Sequence, residues 1–285
     1  MLGMTLPDVD RWSERVVVAL GQNPSAFTGP GTNVYLIGTG RRRLLLDPGG
    51  GEPTFLPVLE RAMRRSGCEE IQEIVLTHGH PDHVGGVRQV LERFGEMPVH
   101  KMPWPEVDAK LDLPLRALAE GQTLTTEGAR LRALHTPGHA PDHLCFLLDE
   151  EGALFSGDNV LGVGTTVIPL GSGDLGQYMA SLEKMRAASP GRIYPAHGPC
   201  IEDGVGKLQE YIEHRKQREV EILRVLEKGP AQILEIVRVI YAAYPAHLHA
   251  AAAQSVAHHL LKLEREGRAQ REAARPPLEA VWKRP

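Results

Sequence analysis

Residues 73–86 read EIVLTHGHPDHVGG. An apolar run of strand type ends at Leu76. Three histidines and an aspartate then fall within six positions: His78, His80, Asp82 and His83. Each imidazole offers one nitrogen to a metal, and a carboxylate offers a hard, charged oxygen. Burying so many polar side chains without partners is costly, so the cluster reads as a metal site and not as a His-rich surface loop. Gly79 and Pro81 suit a tight turn at the end of the strand, which lets alternate side chains converge on one point.

Working outward, three further polar residues stand in the same context, each at the end of a short apolar run and beside Gly or Pro. His139 lies in LHTPGHAPDH after an expected strand at 130–135. Asp158 lies in LFSGDN after 153–156, and His197 in IYPAHGP after 192–194. Loops at strand ends are where α/β proteins place their sites. With the first cluster these make seven ligands: His78, His80, Asp82, His83, His139, Asp158 and His197. One zinc needs at most four. Seven serve two metals if a carboxylate or hydroxide bridges them.

His143, four residues past His139, has three readings: a supporting or proton-donating residue, a structural histidine capping a strand, or a ligand in place of His139. Asp142 reads as a turn residue. Thr165, Thr166 and Tyr178 are placed near the site by position alone. The segment Gly29–Tyr35 (GPGTNVY) reads equally as a loop by the metals or a plain hairpin turn.

The rest of the chain supplies the scaffold. RVVVAL at 15–20, NVYLIG at 33–38 and RLLLD at 43–47 read as strands, rich in branched apolar residues. Further strands are expected at 71–78, 144–148 and in the runs before each ligand. Helices are expected at 54–66, 84–94 and 174–188. Alternating strands and helices predict an α/β architecture, and the strand-rich opening predicts that part of the sheet is antiparallel. No G-x-G-x-x-G follows a strand, so a dinucleotide fold has no support. After about Gly206 the pattern turns helical, at 207–228, 230–243 and 248–266, with PLEAVWKR at 277–284 as a strand. This divides the chain into a catalytic domain, 1–206, and a small C-terminal domain, 207–285.

Composition narrows the function classes. Hydrophobic residues make up 42% and charged residues 24%, ordinary globular values. The net charge is −4; residues 207–285 carry fourteen Lys and Arg against ten Glu, +4, which leaves −8 for the remainder. The asymmetry fits a solvated helical surface or a surface for an acidic partner. Three scattered cysteines form no C-x-x-C pair, so a reducing, cytoplasmic setting is expected and a disulfide scaffold is not. The opening MLGMTLPDVDRWSER is too polar and acidic for a signal peptide, and no apolar run reaches the length of a membrane span.

The spacing H-x-H-x-D-H, followed by H, D and H, resembles the metallo-β-lactamase superfamily. The matching segments are Thr77–His83, Thr136–His139, Ser156–Asp158 and Pro195–His197. The resemblance implies an αββα sandwich holding two Zn2+ per chain. His78, His80 and His139 would bind the first, Asp82, His83 and His197 the second, and Asp158 would bridge them. It further implies hydrolysis by a hydroxide shared between the metals, with Asp82 orienting it. Within the superfamily, GPGTNVYLIGTG, ALFSGDNVLGVGTTV and IYPAHGP are similar to the LACTB2-like endoribonucleases, which have a winged-helix-like C-terminal domain. That likeness implies cleavage of single-stranded RNA. The stretch KMPWPEVDAKLD at 101–112 has no counterpart in it, and Asn159 stands where that family can have Cys. Three other readings remain. One is a hydrolase of thioesters, lactones or β-lactams, since glyoxalase II thioesterases resemble this chain in the same metal motifs. Another is mononuclear iron chemistry on a sulfur substrate, since some oxygenases of the superfamily share H-x-H-x-D-H; the last is a nucleic-acid-binding protein whose metal domain is idle.

Overall fold

The structure, a computed structural model, describes residues 3–243, 245, 249–272 and 275–285. Two sheets pack face to face between two layers of helices. The first runs in sequence order: β1 (Val9–Arg11), β2 (Val16–Leu20), β3 (Asn33–Ile37), β4 (Arg42–Leu46), β5 (Glu70–Val75), β6 (Val99–Lys101) and β7 (Leu115–Ala117). Pairing is antiparallel from β1 to β4 and parallel from β4 to β7, so the expected antiparallel opening is present. The second sheet has the order β12-β11-β10-β9-β8, from β8 (Thr123–Thr126), β9 (Ala129–His135), β10 (Leu144–Leu148), β11 (Ala153–Gly157) and β12 (Arg192–Pro195).

The central strands β2 (VVVAL) and β10 (LCFLL) are apolar throughout because both faces are covered. In β2, Val16 and Val18 face the other sheet, while Val17 and Ala19 face helices α1 (Phe55–Ser66) and α3 (Val87–Phe94). In β10, Leu144, Phe146 and Leu148 join the inter-sheet core. Cys145 and Leu147 face α5 (Leu175–Ala187) and the first half of α6 (Gly204–Leu226). The period of two thus separates the central core from the two outer ones.

The tail is a small helical domain with a three-stranded sheet. It consists of the second half of α6, α7 (Ile233–Ile240), α8 (His249–Arg265) and the short strands β13 (Ala231–Gln232), β15 (Val281–Lys283) and β14 (Gln270–Arg271). Its core gathers Ile222, Leu226, Ile236, Val256, Leu260 and Trp282. The expected strand at 277–284 is β15. Residue 248, the start expected for the last helix, lies outside the described residues. Among the described residues, no helix is long and apolar enough to cross a membrane.

Candidate metal centre

β4, β5, β9, β11 and β12 all deliver their C-terminal ends to one edge of the sandwich. β4–β5 and β11–β12 are parallel pairs, and β10, antiparallel to both its neighbours, puts β9 and β11 in the same direction. The chain leaves β5 through Thr77–His80. Pro81 then opens a single helical turn, α2 (Pro81–Val84), where its missing N–H costs nothing. Val84 is buried and anchors the turn. The backbone N–H of Leu144 donates to the Thr77 carbonyl at 2.7 Å, tying this loop to the second sheet.

The seven predicted residues come together in two groups that share one member. His78, His80, His139 and Asp158 form one; Asp82, His83, Asp158 and His197 form the other. Within each group the available ligand atoms lie within 4.8 Å of one another. The shared carboxylate is divided between them. Asp158 Oδ2 lies 3.5 Å from His139 Nε2, while Oδ1 lies 3.4 Å from His83 Nε2 and 3.1 Å from His197 Nε2. Asp82 Oδ2 closes the second group at 3.3 Å from His197 Nε2 and 3.5 Å from His83 Nε2. In the first, the Nε2 atoms of His78 and His139 lie 2.9 and 3.0 Å from His80 Nδ1.

The far nitrogens are fixed from behind. His139 Nδ1 lies 2.8 Å from the Val167 carbonyl, and His83 Nδ1 lies 2.9 Å from Asp47 Oδ2. Each partner accepts a hydrogen bond from Nδ1–H, so Nε2 is the nitrogen turned to the centre: its lone pair is free on His139 and becomes free on His83 once its proton is displaced. Asp47 also accepts from the backbone N–H of Thr77 at 2.8 Å and from its hydroxyl at 2.7 Å. This aspartate follows LLL at the end of β4, the same strand-end signal that marked the ligands, yet sequence reading gave it only the last place in a strand. It holds φ 52°, a left-handed conformation that Asp tolerates better than most residues.

Electrostatics divides the groups. Burial, then repulsion from neighbouring imidazoles, pushes His78 well below the usual histidine range and His80 down to about 4. Burial likewise lowers His139. These three are neutral ligands at neutral pH. Burial opposes charge on His83 and His197 too, but the carboxylates of Asp82 and Asp158 override it, raising His83 and bringing His197 to about 9. Burial would raise Asp158, but His197 and His83 hold it well below the carboxylate range. His83 Nε2 and Asp158 Oδ1 are also buried without a hydrogen-bond partner. Converging lone pairs, an anionic bridge and orphaned buried atoms fit two divalent cations, which would displace the protons now balancing the second group.

The other predicted positions surround this centre. His143 is fully buried and belongs to neither group. Its Nε2 accepts from the backbone N–H of Asp158 at 3.1 Å, and its Nδ1 lies 3.1 Å from both Thr136 Oγ1 and Asn159 Nδ2. Thr166 and Tyr178 hold the Asp158 loop from behind. The Thr166 hydroxyl donates to the Asp158 carbonyl at 2.6 Å and the Tyr178 hydroxyl to that of Asn159 at 2.7 Å. The 29–35 segment does reach the site: Thr32 Oγ1 donates to the Asp82 carbonyl, and Thr32 bridges to His197. Asp142 lies in a turn, and more: it is buried 2.7 Å from the equally buried Lys101 Nζ. The 101–112 stretch brings Trp104 beside His80, ring centroids 6.5 Å apart.

Comparison with known proteins agrees with this geometry. Residues 27–197 match the family model of the metallo-β-lactamase superfamily, and residues 233–277 match that of the β-lactamase-associated winged helix domain. A β-lactamase-like protein 2 homolog of Drosophila melanogaster is 42% identical over 275 residues, 92% of each chain. A protein of Claviceps purpurea named atrochrysone carboxyl ACP thioesterase is 40% identical over 224 residues, 78% of this chain and 68% of that one. A crystal structure of a β-lactamase domain protein from Burkholderia ambifaria superposes with a TM-score of 0.82 over 99% of this chain and 96% of that one; at 19% identity it speaks for the fold alone. With both family models matched and two ligand groups built to share a carboxylate, the chain is a metallohydrolase belonging to the metallo-β-lactamase superfamily, with a winged-helix C-terminal domain.

Proposed function

We propose that the site holds two zinc ions and that the protein is an endoribonuclease cleaving the phosphodiester bonds of single-stranded RNA. The observation that carries this reading is the division of Asp158 between two complete ligand groups. A shared carboxylate is the arrangement a two-metal clamp on a phosphoryl group needs. When bound, zinc supplies Lewis acidity: it makes water a nucleophile at neutral pH and offsets charge developing on the phosphoryl oxygens.

In this reading His78, His80 and His139 hold the first zinc, Asp82, His83 and His197 the second, and Asp158 joins them. Asp82 is the more exposed carboxylate and keeps one oxygen to orient the attacking water. His143 acts through Asp158: with both nitrogens engaged inside the fold, it positions the bridging residue and does not donate a proton to the substrate. The resemblance of its segments to the LACTB2-like endoribonucleases and the +4 charge of residues 207–285 support RNA as substrate. We take residues 1–206 as the catalytic domain and 207–285 as the part that helps hold the strand.

The test is cleavage of a labelled single-stranded RNA by zinc-loaded protein, beside an Asp82→Ala, His83→Ala variant prepared identically. Cleavage only by the former supports the reading. Equal cleavage points to a contaminating nuclease. Cleavage by neither, with two zincs per chain confirmed, rejects it in favour of acyl transfer to water. That second reading has one specific support, the thioesterase of Claviceps purpurea. Saturable turnover of acyl thioesters would then identify it.

A further inference from the structure

Between the metal domain and the winged helix lies a cleft of about 370 Å³ that the metal centre does not use. One wall is the segment 165–168. Its Val167 carbonyl holds His139, and its Thr166 hydroxyl holds the Asp158 carbonyl. The other wall is formed by α6 and α8, which present His214, Arg215, Arg218, Gln254 and His258. Among the described residues no acidic side chain lines the cleft.

Arg215 is only 6% exposed. One of its Nη atoms donates to the Thr166 carbonyl at 2.7 Å, and its Nε is buried without a partner. Among the described residues no carboxylate forms an ion pair with it. A buried guanidinium without an anion is costly; the Thr166 carbonyl and the Tyr178 ring, 5.4 Å away, offset part of that cost and leave the charge open to an anion. His258 is 5% exposed and its Nε2 has no partner; burial lowers its pKa, so it is a neutral imidazole with one ring nitrogen left open. Arg218 is partly neutralised by Glu221, 2.7 Å from one Nη, and lies over the Tyr241 ring at 4.2 Å; its Nε is likewise buried without a partner. Two guanidinium groups supply fixed donors, and the imidazoles of His214 and His258, neutral through burial, add groups that a phosphate could protonate and pair with. Forked Arg donors match the tetrahedral oxygens of a phosphate.

We propose that this cleft is a phosphate-binding subsite, which holds a phosphate of the RNA strand flanking the one being cut. The proposal rests on the RNA reading for its source of phosphate, and on the cleft itself for its chemistry. Anchoring the strand here fixes its register against His139 and Asp158, because the wall that contacts the phosphate also holds both residues. Phe27, 73% exposed at the rim, offers an apolar face for the adjoining base.

The experiment compares the full-length, metal-loaded protein with an R218Q/H214Q variant, with R218K, and with K216Q. The last removes one charge from the exposed side of the same helix, outside the cleft. Inorganic phosphate is titrated calorimetrically, and KM and kcat are measured on a labelled single-stranded RNA. We expect R218Q/H214Q to lose phosphate affinity and to raise KM by about tenfold each, with a smaller change in kcat, while R218K, which keeps the charge and loses the fork, falls between and K216Q stays near wild type. Phosphate affinity and KM indifferent to R218Q/H214Q, or equally altered by K216Q, would overturn the subsite even if RNA is cleaved. If no form cleaves RNA but R218Q/H214Q alone loses phosphate binding, the subsite stands and the RNA reading falls. The phosphate then belongs to a small acyl carrier such as a coenzyme A thioester, tested by its competition with inorganic phosphate.

Discussion

At the scale of single residues, the centre depends on groups that never touch a metal. Asp47 holds both ends of the first ligand loop, Thr77 at its start and His83 at its end. Asp47→Ala frees the His83 ring to rotate and leaves the Thr77 amide without its acceptor. Loss of such a supporting partner typically weakens a site by about 10–100-fold. The expected outcome, read by competition with a chromophoric chelator, is one metal per chain held weakly while the metal of His78, His80 and His139 is retained. Equal weakening of both would show that Asp47 supports the loop as a whole and not His83. Gly157 is the second such residue. It sits at φ 50°, and a Cβ there would lie 2.6 Å from His143 Nε2 and 3.1 Å from Thr77 Cβ. Gly157→Ala therefore strains the backbone and pushes on the ring that holds Asp158. A stability loss of about 1–3 kcal/mol, measured by urea unfolding, is expected together with reduced metal content.

At the scale of elements, two buried ion pairs fix how pieces meet. β6 and α4 (Pro105–Leu111) meet through Lys101, which is 1% exposed and lies 2.7 Å from Asp142 and 2.6 Å from Asp108. Lys101→Met strands the Asp142 carboxylate in a site where burial already pushes its pKa up. Unfolding measurements should show a loss of about 3–5 kcal/mol, and adding Asp142→Asn should restore part of it. No restoration would mean that the lysine stem, and not the charge, carries the packing. In the tail, Glu219 of α6 contacts Lys262 of α8 at 2.8 Å. Burial works against its charge, but His259 and Lys262 hold its carboxyl at about 2 against an ordinary value of 4.5. A folded-state pKa below the unfolded one stabilises above pH 4.5, and that stability is lost as pH falls toward 2. Glu219→Gln should thus be less stable than wild type at pH 7, and the gap should close between pH 4.5 and 2. These same elements show what could be read from sequence. Strands of the double-covered core, such as VVVAL and LCFLL, announce themselves because both faces must be apolar. β7 and β8 did not, because edge strands reading LRA and TLTT are half exposed and show no clear alternation. The clustering of the seven was legible because polar residues repeated at strand ends have few other uses. Asp47 was not, because a lone aspartate before Pro-Gly-Gly looks like ordinary turn chemistry. Lys101 and Asp142, forty-one positions apart, could be joined only by the fold.

At the scale of the molecule, α6 makes two domains behave as one. Its first half, through Leu208, Tyr211 and Ile212, belongs to the core under the second sheet; its second half, through Ile222, Leu223 and Leu226, belongs to the core of the tail. Arg265 of α8 reinforces the joint by pairing with Asp174, the residue that caps α5 by accepting from the Gln177 N–H. A continuous helix shared by two cores transmits unfolding from one to the other, so the protein should unfold in a single transition. Lys216 lies at the exposed midpoint between the two sets of contacts. Lys216→Pro removes a helical hydrogen bond and clashes with the preceding turn, at a cost of about 3 kcal/mol. Because the break falls between cores and not inside either, the expected result is two separated transitions in urea. The tail signal, followed by Trp282 fluorescence, should move to lower denaturant than the far-ultraviolet dichroism of the sandwich. Metal loaded into the two groups, whose members all precede residue 198, should remain bound through the first transition and leave in the second. The cleft, with His214 and Arg215 on one side of the break and Arg218 on the other, should come apart in the first. A single transition for this variant would mean that the Arg265–Asp174 contact, and not the helix, couples the domains; Arg265→Ala would then separate them.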